Sequence, residues 1–409
     1  MTVTIIHANW VVPITSGVIE QGAVAVDAAG VIVAVGKAKD LLIEFPSAPR
    51  QQLRGAILPA LVNAHTHVEL SALRGLVAGG QGLVPWVQTL MPAARAIDSD
   101  EKNAAMHTAA AEMWCAGTAA LGDVGNSLTS LPALASQPLQ GTFFHELLGS
   151  QDTATGDAPM AARRTYEEVV QKGAWPARFT YVQAPHAPYS ASPSLLRRVL
   201  ANAQNLRERT TIHVAEDNDE IDLLMRGEGR WPAILSLMGV PLGERTPHLR
   251  PVPYLQAQGA FAGALSPLLV HMTFADAVDI EIAARFSAPV VLCPRSNLHI
   301  TGQLPNIPAL ISAGVPLALG TDSLASNGSL SLWNEMATLA KHFPEVNCAH
   351  WLQAATHGGA MALDRPGLGS IAPGKKPGIL NIDIECATEN LLRVLTSKPP
   401  SNITWAAKP

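Results

Sequence analysis

The chain has 409 residues, 48% of them hydrophobic and 15% charged, which is enough apolar material for a large buried interior and too little charge for a disordered protein. Its 28 Lys and Arg stand against 33 Asp and Glu, a formal charge of −5 with the basic residues scattered, so a nucleic-acid polymer or an anionic membrane finds no basic surface to bind. No apolar run reaches the roughly 18 residues that cross a bilayer, and the start lacks a basic segment with a cleavage site, so the expected location is cytoplasmic.

The opening runs TVTIIHANWVV, GAVAVDAAGVIVAVG and QQLRGAILPA alternate in period two between turn residues and predict a small antiparallel sheet. Eight short apolar runs follow in order, each ending in polar residues and leading into a longer helical stretch: AILPALVNAHTH, TAALGDVG, GTFFHELLG, RFTYVQAPHAP, RTTIHVAED, PLLVHMTF, APVVLCPRSN and VPLALGTDS. Strands this uniformly apolar suit a parallel sheet buried on both faces, and eight βα units suit a closed barrel. An open doubly wound sheet would show a Gly-rich phosphate turn after its first strand, and none is present. GLGSIAPGKKPGILNIDI returns to turns and strands near the end. The fold expected is therefore α/β, a (β/α)8 TIM barrel over residues 59–364 with a small composite β-sandwich from residues 1–58 and 365–409. The four cysteines, Cys115, Cys293, Cys348 and Cys386, have no CxxC spacing and read as small buried apolar residues.

Barrel chemistry sits at the C-terminal ends of the strands. Those ends carry His65 and His67, Asp123, His145 and Glu146, His186, His213 and Glu216, His271, Arg295 with Ser296 and Asn297, and Thr321 with Asp322. In His65-Thr66-His67 the alternation turns both imidazoles to the inward face, where one cation accepts both. Alone, such a pair is unspecific. With His213 and Asp322 it makes three neutral nitrogens and one carboxylate, a set for one divalent metal, zinc ahead of iron(II), with a position left for water.

PALVNAHTHVELS, HVAED, HMTF, CPRSN and GTDSLAS, in this order, resemble the motif runs of the amidohydrolase superfamily. The likeness is nearest to the branch of S-adenosylhomocysteine, methylthioadenosine, aminofutalosine and guanine deaminases and triazine chlorohydrolases, and it covers nearly the whole chain. It implies metal ligation by His65, His67, His213 and Asp322. Glu216 resembles the HxxE glutamate that shuttles protons in mononuclear deaminases, and His271 the strand-six histidine that orients the attacking water. The implied reaction is attack of metal-activated water on an amine-bearing ring carbon. Asp322 and His271 would deprotonate the water, and Glu216 would protonate the neighbouring ring nitrogen and then help ammonia leave. A bridging lysine or glutamate at the end of strand four is absent, which points to a single metal.

Expected substrate contacts are Glu69, Ser71, His186, Arg295 and Asn297. Glu69 continues the alternation from His67, and it reads equally as an acceptor for sugar hydroxyls or as support for a neighbouring group. HTHVELSALRG, LLVHMTF and LCPRSNLHITG resemble the aminofutalosine deaminases most, so the expected activity is a hydrolytic deaminase of an aminofutalosine-like adenine nucleoside, acting on a small molecule as a homodimer. Alternatives on the same residues are an adenosylhomocysteine, methylthioadenosine or guanine deaminase, a triazine chlorohydrolase, a cyclic amide or N-acyl amino acid hydrolase, and a scaffold without catalysis. GKKPGILNIDI stands where related chains carry Ala-Asp, which predicts an altered closing strand.

Overall fold

The structure, a computed structural model, describes residues 3–149, 158–237 and 247–409. Thr2 of the first predicted run lies outside the described residues.

The opening runs form β1 (Val3–His7), β2 (Trp10–Val11), β3 (Ile19–Glu20), β4 (Gly22–Asp27), β5 (Ile32–Lys37), β6 (Arg50–Gln52) and β7 (Ala56–Pro59). The Asp-Ala-Ala-Gly break is a tight turn. Asp27 Oδ1 accepts from the amides of Ala29 and Val31, both at 2.9 Å, and Gly30 takes φ +82°, a conformation that costs a glycine little.

The central run continues as β8 (Leu61–His67), β9 (Thr118–Gly125), β10 (Gln140–Leu147), β11 (Phe179–Pro185), β12 (Thr211–Val214), β13 (Leu268–His271), β14 (Val290–Leu292), β15 (Leu317–Leu319) and β16 (Asp322–Ser323). All eight predicted runs are strands, paired in parallel, and helices separate them in the chain. They lie in two sheets, ordered β11-β10-β9-β8-β16 and β12-β13-β14-β15. The sheets are bonded at both margins. On one side the amide of His213 donates to His186 O at 3.0 Å, and on the other the amide of Thr321 donates to His65 O at 2.9 Å. Alternation along the strands turns Val62, Ala120, Phe144, Val182, Val270 and Val291 into one shared apolar cluster.

β17 (Ile379–Ile382) and β18 (Ile403–Ala407) close the chain. β5-β4-β1-β6 form one terminal sheet, and β18-β17-β7-β2-β3 form another that joins both chain ends. Ile6 and Val24 of the first meet Val11, Ile57 and Ile379 of the second in one buried cluster. The departure at GKKPGILNIDI leaves β17 paired with β7 and β18, with an irregular register between Ile379 and Leu380.

Two expectations are corrected. AILPALVNAHTH is two strands rather than one, because the amide of Ala60 donates to Gly378 O in the terminal sheet at 3.1 Å and the next amide, Leu61, donates to Gly117 O at 2.9 Å. The chain changes sheets within one residue. Of the cysteines only Cys293 is buried, while Cys115 is exposed and Cys348 and Cys386 are partly so. Among the described residues no helix is long and apolar enough to cross a membrane.

Candidate active site

β8 delivers His65 and His67 to its C-terminal end on the same face, two residues apart. The strand stops there because the Val68 amide turns to Asp123 Oδ1 at 2.9 Å, starting a short helix, Val68–Leu73. Ser130 donates to the other oxygen of Asp123 at 2.6 Å. Asp123 thus fixes the turn after the histidines, and burial lifts its pKa to about 7.

β12 brings His213 beside the pair. His65, His67 and His213 place one ring nitrogen each within 4.8 Å of one another, and Nε2 of His67 and His213 are 3.3 Å apart. Asp322 Oδ1 lies 3.6 Å from His67 Nε2 and 3.9 Å from His65 Nε2. Burial and then the neighbouring histidine charges hold the pKa of His65 and His213 well below the ordinary value, so both rings are neutral. For Asp322 burial works the other way, but His67, His271 and His65 outweigh it and keep its carboxylate at about 2.

This donor set fits a divalent cation. Neither ring nitrogen of buried His65 has a hydrogen-bond partner. Unpartnered neutral nitrogens facing a carboxylate are what metal ligation requires, whereas in a plain core they would be left at a cost. Oδ2 of Asp322 is held by the hydroxyls of Ser296 at 2.5 Å and Ser326 at 2.9 Å, which leaves Oδ1 facing the imidazoles.

Glu216 and His271 form a second layer. His271 Nε2 lies 3.5 Å from Glu216 Oε1. Its Nδ1 is 3.2 Å from Asn297 Oδ1, a bond in which Nδ1 is the donor and Nε2 is left as an acceptor. The acidic run EDNDE that Glu216 heads is folded inward, with Glu216, Asp217, Asp219 and Glu220 all buried. The Glu216 amide donates to Glu220 Oε2 at 3.0 Å, Asp217 Oδ2 accepts from the Leu83 amide at 2.7 Å, and Asp219 Oδ2 accepts from Arg230 Nε at 2.7 Å. Burial, then the charges of Asp322, Asp217 and Glu146, push the Glu216 carboxyl well above the usual range. Ala215, His271, Met272 and Asp322 all carry positive φ, between +50° and +75°. Such residues cost about 1–3 kcal/mol each and collect where a site fixes side-chain direction.

The expected substrate contacts have mixed placements. His186 joins Glu146 and His213 in a second group whose ligand atoms lie within 4.8 Å of one another, and its Nδ1 meets Ser190 Oγ at 2.5 Å. Glu69 is on the short helix rather than on a continued strand, which corrects the alternation argument; its Oε1 accepts from the Ser127 hydroxyl at 2.7 Å and amide at 3.1 Å. Ser71 donates to Val68 O at 2.7 Å, and Arg295 Nε donates to Asn327 Oδ1 at 2.8 Å, so both have protein partners. Asn297 bonds His271 and Thr273. Glu146 and Glu220 are two of the buried carboxyls to which the sequence reading gave no role. The period-two step from Phe144 to Glu146 was the available signal for the first.

Gly320 sets the approach of the eighth strand to the first. A methyl there would lie 2.8 Å from both Cβ and O of His65 and 3.0 Å from Cys293 Sγ. Gly320→Ala is expected to cost about 1–3 kcal/mol of stability and to reduce bound metal, measured by thermal unfolding and metal analysis; parent values for both would show that the His65 backbone yields freely.

Residues 56–402 match the sequence profile of the amidohydrolase family. Aminodeoxyfutalosine deaminase of Deinococcus radiodurans is 32% identical over 339 residues, covering 80% of this chain and 78% of that protein. A 5-methylthioadenosine/S-adenosylhomocysteine deaminase of Nitratidesulfovibrio vulgaris (strain Miyazaki F) is 30% identical over 408 residues, covering 95% and 84%. The crystal structure of Helicobacter pylori aminofutalosine deaminase in complex with methylthio-coformycin superposes with a TM-score of 0.85 at 23% identity, covering 99% of each chain, and so shares the fold. That of an adenosine deaminase from Xanthomonas campestris with bound zinc gives 0.79 at 27% identity, covering 99% and 92%.

Proposed function

The chain belongs to the amidohydrolase family, and on that premise we propose that it is a metal-dependent hydrolytic deaminase, removing the amino group of an aminofutalosine-like adenine nucleoside as ammonia. The observation that carries the reading is the buried Glu216–His271 pair, 3.5 Å apart and beside the three histidines and Asp322. Ring deamination needs a proton on the nitrogen next to the attacked carbon and another on the departing amine. A carboxyl that burial makes keep its proton above the usual carboxylate range, next to an imidazole with a free acceptor nitrogen, meets both needs.

A divalent cation held by His65, His67, His213 and Asp322, zinc in preference to iron, would activate water and offset the negative charge that develops on attack. His271 takes a proton from the attacking water through Nε2. Glu216 gives its proton to the ring nitrogen, recovers one from the added hydroxyl and passes it to the amine, which leaves as ammonia. Asp322 orients the water through Oδ1 while Ser296 and Ser326 hold its other oxygen.

The same proposal takes the two parallel sheets as arcs of one (β/α)8 barrel over residues 59–364, supported by the hydrogen bonds at both margins, and the terminal sheets as a composite β-sandwich of residues 1–58 and 365–409.

Ammonia release from a panel of adenine nucleosides, guanine and cytosine tests the function. Adenine nucleosides are expected to react at least about 100-fold faster in kcat/KM than the free bases, with activity lost on chelation and restored by zinc or iron(II). Turnover of non-nucleosides alone would overturn the reading.

A further inference from the structure

We propose that Glu146 is a specificity residue of this site, its Oε1 accepting a hydrogen bond from a sugar hydroxyl on the substrate's ring. This rests on the nucleoside deaminase reading above.

The placement follows from the alternation of β10. Phe143 packs with Leu131 and Tyr181, and His145 Nδ1 meets Tyr181 OH at 3.0 Å, so these two residues share one face. Phe144 lies on the other, in the cluster with Val62, Val182 and Val270. Glu146 follows Phe144 on that inner face, at the end of the strand, where its carboxyl reaches His186 and His213.

Its two oxygens are treated differently. Oε2 accepts from Asn126 Nδ2 at 3.0 Å, which fixes the carboxyl plane. Oε1 is buried and has no hydrogen-bond partner. The neighbouring donor candidate, His213 Nδ1 at 3.5 Å, already points its proton to His186 O at 2.9 Å, while the opposite ring nitrogen of His213 faces His67. A carboxyl oxygen fixed in place, shielded from solvent and lacking a donor is completed when a ligand supplies one.

The donor's identity follows from how the site is divided. Glu216 and His271, from the ends of β12 and β13, handle protons on one side, so the reacting edge of the ring faces them. The rest of the substrate extends towards the ends of β8 to β11, where Glu69 and Glu146 stand. Glu69 Oε1 is taken up by Ser127, which leaves Glu146 Oε1 as the buried acceptor without a partner on that side. A sugar hydroxyl is the donor that a nucleoside carries on the side away from its reacting ring edge, and Glu146 Oε1 is the acceptor left open there.

The test measures binding of the deaminated product inosine and of 2′,3′-dideoxyinosine by calorimetry to the metal-loaded parent, Glu146→Gln and Glu146→Ala, with metal content and adenosine kinetics alongside. The parent is expected to prefer inosine by about 10- to 100-fold. The preference should shrink to about threefold or less in Glu146→Ala, with Glu146→Gln in between, unchanged metal content, and KM rising more than kcat falls. An unchanged preference in both variants would overturn the assignment. So would two metal ions per chain in the parent and one in Glu146→Gln, since Glu146 would then be a ligand with His186 and His213. If the parent deaminates no adenine nucleoside, the deaminase reading fails and takes this proposal with it; deamination with an unchanged inosine preference removes only the role of Glu146.

Discussion

Glu216→Gln is expected to lower kcat by about 10²- to 10⁴-fold while the protein keeps its fold and its metal. The substitution preserves volume and one acceptor oxygen, so the contacts that place the side chain survive: the Glu216 amide still bonds Glu220 Oε2 at 3.0 Å, and Ala215 still turns the chain at φ +50°. What is lost is the proton. Burial and the charges of Asp322, Asp217 and Glu146 keep the native carboxyl protonated above its usual range, and a carboxamide has no proton to give to a ring nitrogen. Because that transfer occurs only on the way to the transition state, kcat and kcat/KM should fall together with KM nearly constant. Steady-state ammonia release, metal analysis and thermal unfolding on the same preparation decide the matter. Turnover within about fivefold of the parent would move the proton transfer to another group, and a loss matched by release of the metal would make Glu216 a structural residue.

The parallel strands were legible in the sequence because each is buried on both faces and reads as an unbroken apolar run, and polar residues collect where such runs end. His65, His67, His213, His271 and Asp322 are at those ends, and the structure gathers them. The break at Ala60 was not legible, since both halves of AILPALVNAHTH are apolar and only the partners of two successive amides separate them. Glu69 was misplaced for a related reason. Alternation holds only while the strand lasts, and Asp123, 55 residues from Val68, ends it. The partners of the acidic run after His213 were not legible, because they are distant or local in ways composition hides: the Leu83 amide lies 134 residues from Asp217, and Glu220 turns back on Glu216. Glu146 stood in plain view at a strand end, but its unpartnered oxygen exists only once Asn126, His186 and His213 are set around it.

Asp322→Asn is the sharper test of how the four candidate ligands divide their work. Asparagine keeps the shape and an oxygen for the position facing His67 and His65, at 3.6 and 3.9 Å, but removes the negative charge that faces them. The histidines hold the native carboxylate at about 2, so it is ionised throughout the pH range in which the protein would work, and its charge is available both to a cation and to an attacking water. Removing it is expected to lower kcat by about 10²- to 10³-fold, with part of the metal retained by the three histidines. Ser296→Ala leaves the charge and removes only the hydroxyl that fixes Oδ2 at 2.5 Å; Ser326 remains at 2.9 Å. That change should cost no more than about 10- to 100-fold in activity or metal affinity. Combining the two substitutions should add little to Asp322→Asn alone, because Ser296 is argued to act through Asp322. Full additivity would give Ser296 a role of its own, and a metal-loaded Asp322→Asn protein with parent turnover would remove Asp322 from the reaction altogether.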